Sequence, residues 1–306
     1  MREREPAQRA SGAYTWLRAG VGIPYAWLLV FLLAPLLIIL KISVADPIVA
    51  QPPFTPLLDT EGGGAPRIHA TLDNYRFVLG DRLYLLTYLN SLKLAAVSTA
   101  LCLLIGYPMA YGIARAQNGN RNLLLMLVVL PFWISFLLRV YAWMGLLSSR
   151  GVINSVLLWA GVVDGPLELL YTDTAVFLGM VYSYLPFMIL PLYATLERLD
   201  PTLLEASADL GGRPARAFLD VTLPLSLPGV IAGCLLVFIP AMGEFVIPAL
   251  LGGPDSLMIG RVLYDEFFSN RDWPVAAADA VLLLAILMVP ILLFQYFETR
   301  REAGDA

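Results

Sequence analysis

Six long apolar segments constrain the fold of this chain more than any other feature of its sequence. Each contains about 20 or more mostly apolar residues, the length that a helix needs to cross the hydrocarbon core of a bilayer. They lie at about 24–45, 88–114, 122–147, 172–196, 225–251 and 274–297. The chain is 58% hydrophobic and only 14% charged, whereas soluble domains average about 25% charged residues. We therefore predict an all-α, polytopic membrane protein with six transmembrane helices.

The distribution of arginines predicts the orientation of these spans. With both termini in the cytoplasm, the inner segments carry eleven arginines and the outer segments six, as the positive-inside rule requires. The first span is expected to be retained, because about two dozen residues precede it and no small-residue cleavage site follows. We predict a cytoplasmic N-terminal segment (1–23), a transmembrane domain (24–297) and a cytoplasmic C-terminal tail (298–306).

One polar segment, residues 197–224, interrupts the apolar pattern between the fourth and fifth predicted spans. Asp200-Pro201 is expected to cap and start a helix, and Gly211-Gly212 to end it, because helices often terminate at a left-handed glycine. Pro214 is expected to start a second short helix and Pro224 to stop it. The segment therefore predicts two short helices and a tight turn, presenting acids, arginines and leucines to a soluble partner.

The same segment resembles the motif of permease subunits of ABC importers, E-A-A-x-x-x-G, nine residues, then I-x-L-P. The chain has Glu205-Ala206-Ser207, Gly211 and Val221-Thr222-Leu223-Pro224, with Ser207 and Val221 as the departures. The resemblance implies the type I ABC importer permease fold, with 197–224 as the coupling-helix loop that docks on an ATPase subunit. The residues it assigns to coupling are Glu205, Ala206, Ser207, Asp209, Leu210, Gly211, Arg213, Leu223 and Pro224.

A second stretch, residues 233–278, resembles the polyamine branch of these permeases, and within it the putrescine permeases. The likeness covers nearly the whole chain, including "TLDNYRFVL" and "NSLKLA" before the second span. It implies a subunit of a putrescine and spermidine importer in the bacterial inner membrane. The implied partners are an ABC ATPase dimer that binds ATP and Mg, a sister permease and a periplasmic polyamine-binding protein.

The sequence predicts that this chain binds no nucleotide, metal or nucleic acid and has no catalytic site. It lacks the Gly-rich G-x-x-x-x-G-K-[ST] motif that cradles phosphates, and its net charge is −4. Its only histidine, His69, lies in a Pro/Gly-rich loop, and both cysteines, Cys102 and Cys234, lie inside apolar runs. The energy for transport must therefore come from another subunit.

Four charged residues, Lys93, Arg139, Glu244 and Asp279, fall inside predicted spans, where charges are costly and usually face an interior or a polar path. A carboxylate in such a path would replace lost hydration of a diamine, and aromatic faces would add cation–π attraction. The predicted path residues are Glu244, Asp279, Trp133, Tyr141, Trp143, Tyr182 and Tyr184. The alternative is that Lys93 or Arg139 pairs with Glu244 or Asp279, and that the aromatic residues only pack or lie at the membrane interface.

Three other functions are compatible with a polytopic chain. The same importer class could carry another small solute, such as an opine, an amino-acid-like molecule or an anion. A channel or secondary transporter would leave the 197–224 segment unexplained, and a membrane enzyme would need a catalytic constellation that the sequence lacks.

Overall fold

The described part of the molecule is almost entirely helical. The computed structural model describes residues 6–59 and 67–304, and gives the backbone alone for 6–19, 58–59, 67–68, 118, 255 and 297–304. One two-stranded antiparallel sheet pairs Leu58 with Ile68 and Asp59 with Arg67. The chain divides into two compact units.

The smaller unit comprises the residues up to Val78 together with Arg271–Leu282. It contains helix α1 (Pro6–Ser43), strands β1 (Leu58–Asp59) and β2 (Arg67–Ile68), and most of α2 (Asp73–Gly80). The Asn74 side chain donates hydrogen bonds to the carbonyl oxygens of Ser43 and Ala45, at 2.9 and 2.8 Å. Because the last carbonyls of a helix have no partner within it, Asn74 satisfies the end of α1 and fixes α2 beside it.

The larger unit comprises Leu79–Asn270 and the residues from Leu283 onward. Its helices are α3 (Arg82–Arg115), α4 (Asn118–Val129), α5 (Phe136–Leu147), α6 (Val152–Trp159), α7 (Asp173–Glu197), α8 (Thr202–Asp209), α9 (Pro214–Ala217), α10 (Leu223–Met242), α11 (Val246–Leu251) and α12 (Ile259–Tyr264). Helix α13 (Trp273–Gly304) contributes residues to both units. Short 3-10 helices cover Leu130–Trp133 and Pro254–Ser256, and π-helices cover Phe218–Thr222 and Asp265–Asn270.

Helices α3, α7 and α10 form the core of the larger unit, and small residues let their backbones approach. A Cβ on Gly229 would lie 2.5 Å from Thr195 Oγ1 and 3.0 Å from the Pro191 carbonyl oxygen, and one on Gly233 would lie 2.7 Å from Met188 Sδ. Gly229 and Gly233 are four residues apart on one face of α10. This spacing of small residues is typical of close helix packing in membranes, where contact rather than water exclusion holds helices together.

Five of the six predicted spans are confirmed as unbroken helices. Within the described residues, the helices long and apolar enough to cross a membrane unbroken are Gly20–Ser43, Arg82–Arg115, Asp173–Glu197, Pro214–Met242 and Trp273–Tyr296. The third predicted span, 122–147, is not one unbroken helix, and six spans result if the bent pair is counted as one. That segment is a pair, Gly119–Trp133 and Phe136–Trp159, bent by 91°, because the backbone is extended at Ile134 and leaves the α region at Ser135.

Two further boundaries differ from the predictions. The fifth span does not continue to residue 251: α10 ends at Met242, and a break at residues 243–245 precedes α11.

Pro224 does not stop the helix that begins at Pro214, since Pro214–Met242 runs on as one span. The backbone N–H of Leu223 bonds the carbonyl oxygen of Phe218, five residues back. This widened π turn accommodates a proline that lacks an N–H and crowds the preceding turn. The predicted division at residues 23 and 297 stays a prediction.

The close approach of α7 and α10 predicts that replacing glycine by alanine is destabilising at Gly229 but not at Gly112. Gly229→Ala should lower the stability of the folded chain by about 1–3 kcal/mol, because the new methyl group meets Thr195 and a backbone carbonyl. Gly112→Ala is the matched control, since nothing lies within 4 Å of its Cβ position, and it should be neutral or stabilising. Thermal unfolding of the detergent-solubilised variants measures the difference; equal melting temperatures would contradict the packing.

Candidate functional site

The segment between α7 and α10, residues 197–224, begins with a capped helix as predicted. We call it the α8–α9 hairpin. The Asp200 carboxylate accepts a hydrogen bond from the Thr202 backbone N–H at 2.9 Å. Hydrogen bonds from the Thr202 backbone and side chain hold the pKa of Asp200 below its ordinary value. The cap therefore requires the ionised carboxylate, so it is present at neutral pH and weakens as the pH falls through that lowered pKa.

The first helix of the hairpin ends at two glycines that serve different purposes. Gly211 has a φ of +80°, a left-handed conformation that L side chains rarely adopt. Its N–H bonds the Ala208 carbonyl oxygen at 2.8 Å, and the N–H of Gly212 bonds the Ser207 carbonyl oxygen at 2.9 Å. A Cβ on Gly212 would lie only 2.6 Å from that same oxygen. This is the Schellman arrangement of helix termination, and it fixes a sharp turn at the tip.

The tip of the hairpin presents apolar side chains between charged ones. Leu210 is 90% exposed and Leu203 is 45% exposed, while Glu205, Asp209 and Arg213 are also exposed. A shallow groove of about 380 Å³ runs along the hairpin, lined in part by Leu203, Ala206, Ser207 and Val221. A leucine held at the apex of a rigid turn is the kind of exposed apolar feature that marks a protein contact.

The second arm of the hairpin is anchored to the membrane core. The Phe218 ring packs edge-on against Tyr107 and Tyr111 of α3, with centroids 5.5 and 6.0 Å apart. The Tyr107 hydroxyl forms a 2.8 Å hydrogen bond with Ser226 Oγ on α10. The arm then continues through the π turn into α10 without a break. No loop therefore separates the second arm of the hairpin from α10.

Glu244 lies in the break at the other end of α10, and its carboxylate is fully engaged. One oxygen, Oε1, accepts the backbone N–H groups of Phe245, Val246 and Ile247 at 3.1, 2.9 and 3.3 Å. The other, Oε2, accepts the Tyr184 hydroxyl. The residue is 8% exposed. The Glu244 side chain thus satisfies the N–H groups that the first turn of α11 leaves unpaired.

Helix α12 packs directly on this break, a contact that the sequence analysis missed. A Cβ on Gly260 would lie 2.3 Å from the Gly243 carbonyl oxygen and 2.9 Å from that of Glu244. The N–H of Ile259 bonds Ser91 Oγ at 2.8 Å, which ties the start of α12 to α3. Two isolated glycines, Gly243 and Gly260, were the available sequence feature, since glycine often marks a close approach of two backbones.

The structure brings together only part of the predicted path residues. Tyr184 contacts Glu244, but Trp143 and Tyr182 pack edge-on against each other at 5.4 Å and line an apolar groove of about 450 Å³. Trp133 is 78% exposed and Tyr141 is 53% exposed. Asp279 is buried in the smaller unit.

One ion pair and one pair of stacked aromatic rings were not predicted from the sequence. The ion-pair partner of Lys93 is Asp173, at 3.4 Å. The aromatic ring that stacks beside the Glu244 break is Tyr264, which lies parallel to Phe245 with centroids 4.8 Å apart. The stacked pair was not predicted, because Tyr264 lies on a helix too short to read from hydropathy.

Comparisons with known proteins agree on the class of protein that this chain resembles. The family model described as "Binding-protein-dependent transport system inner membrane component" matches residues 103–302. The "Spermidine/putrescine transport system permease protein PotB" of Escherichia coli strain K12 is 40% identical over 268 residues, covering 88% of this chain and 92% of that protein. The protein of the same name from Haemophilus influenzae is 40% identical over 281 residues, covering 92% and 93%.

A solved structure shares the fold. The "Crystal structure of bacterial alginate ABC transporter in complex with alginate pentasaccharide-bound periplasmic protein" contains a chain that superposes with a TM-score of 0.69 at 19% identity. The match covers 97% of this chain and 98% of that one. The predicted ABC importer permease fold is therefore confirmed.

The capping role of Glu244 predicts a graded loss of stability. Glu244→Ala should destabilise the folded chain by about 1–3 kcal/mol or more, because three N–H groups lose their acceptor in an apolar setting. Tyr184→Phe should cost less, since it removes one of the four hydrogen bonds and leaves the cap in place. Melting temperatures of the purified chain measure both, with Asp164→Ala at an exposed carboxylate as control. A Glu244→Ala variant as stable as that control would refute the cap.

Proposed function

The chain belongs to the family of binding-protein-dependent transport system inner membrane components, and from this premise we propose that it is a transmembrane permease subunit of an ATP-driven polyamine importer. It is not an enzyme itself. Its relatives that match over about nine-tenths of the chain are named for spermidine and putrescine transport, and this similarity is the observation that supports the substrate class. The chain would form, with a sister permease, the inner-membrane path for polyamines delivered by a periplasmic binding protein.

The α8–α9 hairpin is proposed as the docking element for the ATPase subunits, which bind the ATP and Mg of the complex. Its tip offers an exposed leucine, Leu210, on a turn that Gly211 and Gly212 hold rigid. Glu205 and Asp209 flank it as exposed carboxylates and Arg213 as an exposed cation. This is the surface that a soluble subunit with an apolar cleft and complementary charges would recognise.

The connection from the hairpin to the Glu244 break supports an alternating-access mechanism. Pro214–Met242 is one continuous span of 29 residues, which corresponds to roughly 40 Å along a helix. When the ATPase subunits close, the hairpin would move with them and α10 would carry the movement to the break. Because the break and α12 are held by side-chain and backbone contacts, they would follow as a unit and open or close the outer half of the path.

The roles of individual path residues remain proposals. Glu244 and Tyr184 meet at membrane depth, so a passing dication would have to compete with the Tyr184 hydroxyl for the carboxylate. Of the other predicted path residues, Trp143 and Tyr182 pack against each other, Trp133 and Tyr141 are exposed, and Asp279 is buried in the smaller unit. We propose that the path acid interacts only weakly with polyamines, and that the binding protein supplies most of the selectivity.

The family describes inner membrane components, and we propose a multi-pass protein of the bacterial inner membrane with both termini in the cytoplasm. This orientation places the α8–α9 hairpin on the side where ATP is available. It also places the segment between α11 and α13 on the periplasmic side, where a binding protein would deliver its cargo.

Uptake of labelled putrescine tests the substrate class. Cells that lack this gene and any paralogous polyamine importer should take up little putrescine, and complementation should restore uptake that unlabelled spermidine reduces. A complemented strain that matches the deletion strain, although the chain is present in the membrane, would reject the polyamine assignment. Uptake of other solutes would then identify the cargo of the same importer class.

The hairpin makes a second prediction about the same assay. We propose that Glu205 pairs with a basic residue of the ATPase subunit. Glu205→Arg should then reduce uptake to background, at least about tenfold, because the new cation would face that basic residue, and juxtaposed like charges cost several kcal/mol. Membrane insertion should be unchanged, since Glu205 is exposed. Glu168→Arg, which reverses an exposed carboxylate between α6 and α7, is the matched control. Undiminished uptake by Glu205→Arg would contradict the docking role.

A further inference from the structure

Arg139 is a buried cation in the bent third span. It lies on α5, four residues after Ser135, whose carbonyl oxygen accepts its backbone N–H. The residue is only 8% exposed. Its Nε and Nη1 are buried and have no hydrogen-bond partner in the described part of the chain. A buried guanidinium ordinarily pairs with a carboxylate or with several acceptors, because leaving it uncompensated is very unfavourable.

The contacts that Arg139 does make are with aromatic rings. Its guanidinium carbon lies 5.8 Å from the centre of the Phe132 ring and 5.6 Å from that of Phe136. Cation–π contacts of this kind attract the charge but do not satisfy its N–H groups. They hold the guanidinium in a defined place, so that a hydrogen-bond acceptor can approach from the remaining direction.

The acids of the elements packed against α5 are already engaged. Helices α6, α7 and α11 contact α5, and neither α6 nor α11 contains an acidic residue. The two acids of α7, Asp173 and Glu197, pair with Lys93 and Arg121, at 3.4 and 2.9 Å. Glu244, which precedes α11, is occupied by three backbone N–H groups and the Tyr184 hydroxyl. Among the described residues of α6, α7 and α11, and at Glu244, every carboxylate is therefore already engaged.

The turn and the helix that carry Arg139 expose apolar side chains. Five large side chains close in sequence to Arg139 are 49–78% exposed. They are Trp133, Ile134, Leu137, Leu138 and Tyr141. An element that combines a buried arginine with exposed Trp, Tyr and aliphatic side chains has the composition of a protein–protein interface, where Arg, Trp and Tyr are enriched.

We propose that Arg139 is an ion-pair site for a carboxylate on a transmembrane helix of the second permease subunit, an inference that rests on the proposed two-permease importer. The uncompensated charge supplies the complementarity, and the exposed apolar side chains of the turn and of α5 supply the packing surface. A polyamine cannot be the ligand, since it carries the same sign of charge. A lipid phosphate is disfavoured, because a freely diffusing charged headgroup would have to leave water for an apolar surface, whereas a carboxylate on a packed helix is carried there with the helix.

Recovery of the second permease from the assembled importer tests the proposal. The whole complex is purified through a tag on this chain, and Arg139→Gln should recover about tenfold less second permease than the wild type, since truncating one partner of a buried charge pair is strongly destabilising. Arg150→Gln, the same change at an exposed arginine, should have no effect. A wild-type recovery for Arg139→Gln would overturn the ion pair. A wild-type chain that recovers no second permease would reject the proposed function and this inference with it.

A second variant identifies the carboxylate and does not depend on the first variant folding. Arg139→Lys keeps the positive charge and introduces an amine that a membrane-permeant carbodiimide can couple to an adjacent carboxylate. Mass spectrometry of the treated complex should find an amide link to an acidic residue of the second permease, absent from the treated wild type, whose own lysines are Lys41 and Lys93. A link within this chain, for example to Glu244, or no interchain link at all, would overturn the proposal.

Discussion

Every backbone N–H and carbonyl group within a bilayer must find its partner inside the protein, and this requirement governs how the present chain can bend. The fifth span breaks after Met242, and the break is possible because the Glu244 carboxylate takes the N–H groups of Phe245, Val246 and Ile247. Gly260 then lets α12 cover the carbonyl side of the same break. The end of the larger unit that contains α11 and α12 therefore depends on one side chain that replaces a missing turn of helix.

The cytoplasmic and outer parts of the proposed mechanism are joined by the same helix that carries this break. On the hairpin side, Phe218 is held between the rings of Tyr107 and Tyr111. In the middle, Gly229 and Gly233 bring α10 against α7 so closely that added methyl groups would collide. These contacts hold α10 against both α3 and α7, so in the proposed mechanism the three helices would move together. Such rigid-body movement is how packed helices transmit a small displacement over a long distance.

The sequence predicts the helices well because apolar run length depends only on bilayer thickness, and it predicts Asp200 and Gly211 because caps and left-handed glycines are local chemistry. It does not predict the bend at Ile134–Ser135 or the end of α10 at Met242, since apolar residues resume shortly after both positions. The prediction that Pro224 ends a helix is wrong for a different reason. Proline usually ends a helix, but here the π turn at Phe218–Thr222 absorbs it. The hydrogen bonds of Glu244 depend on the path of the backbone. The sequence therefore predicts only that an acid lies within an apolar span, and not which groups it contacts.

Two of the charged residues in the predicted spans, Lys93 and Glu244, already have partners within the chain. Lys93 is matched by Asp173, and Glu244 is matched by α11 and Tyr184, so neither presents an isolated charge to a passing solute. Transport requires that cargo bind strongly enough to enter and weakly enough to leave. If Glu244 is the path acid that we propose, an acid whose lone pairs are already used would meet that condition for a dication, because the Tyr184 hydroxyl would compete with the cargo for close contact. On this proposal the depth of the binding well would be set by how readily Tyr184 yields, and the hydroxyl would be as important as the carboxylate in determining how fast a polyamine passes.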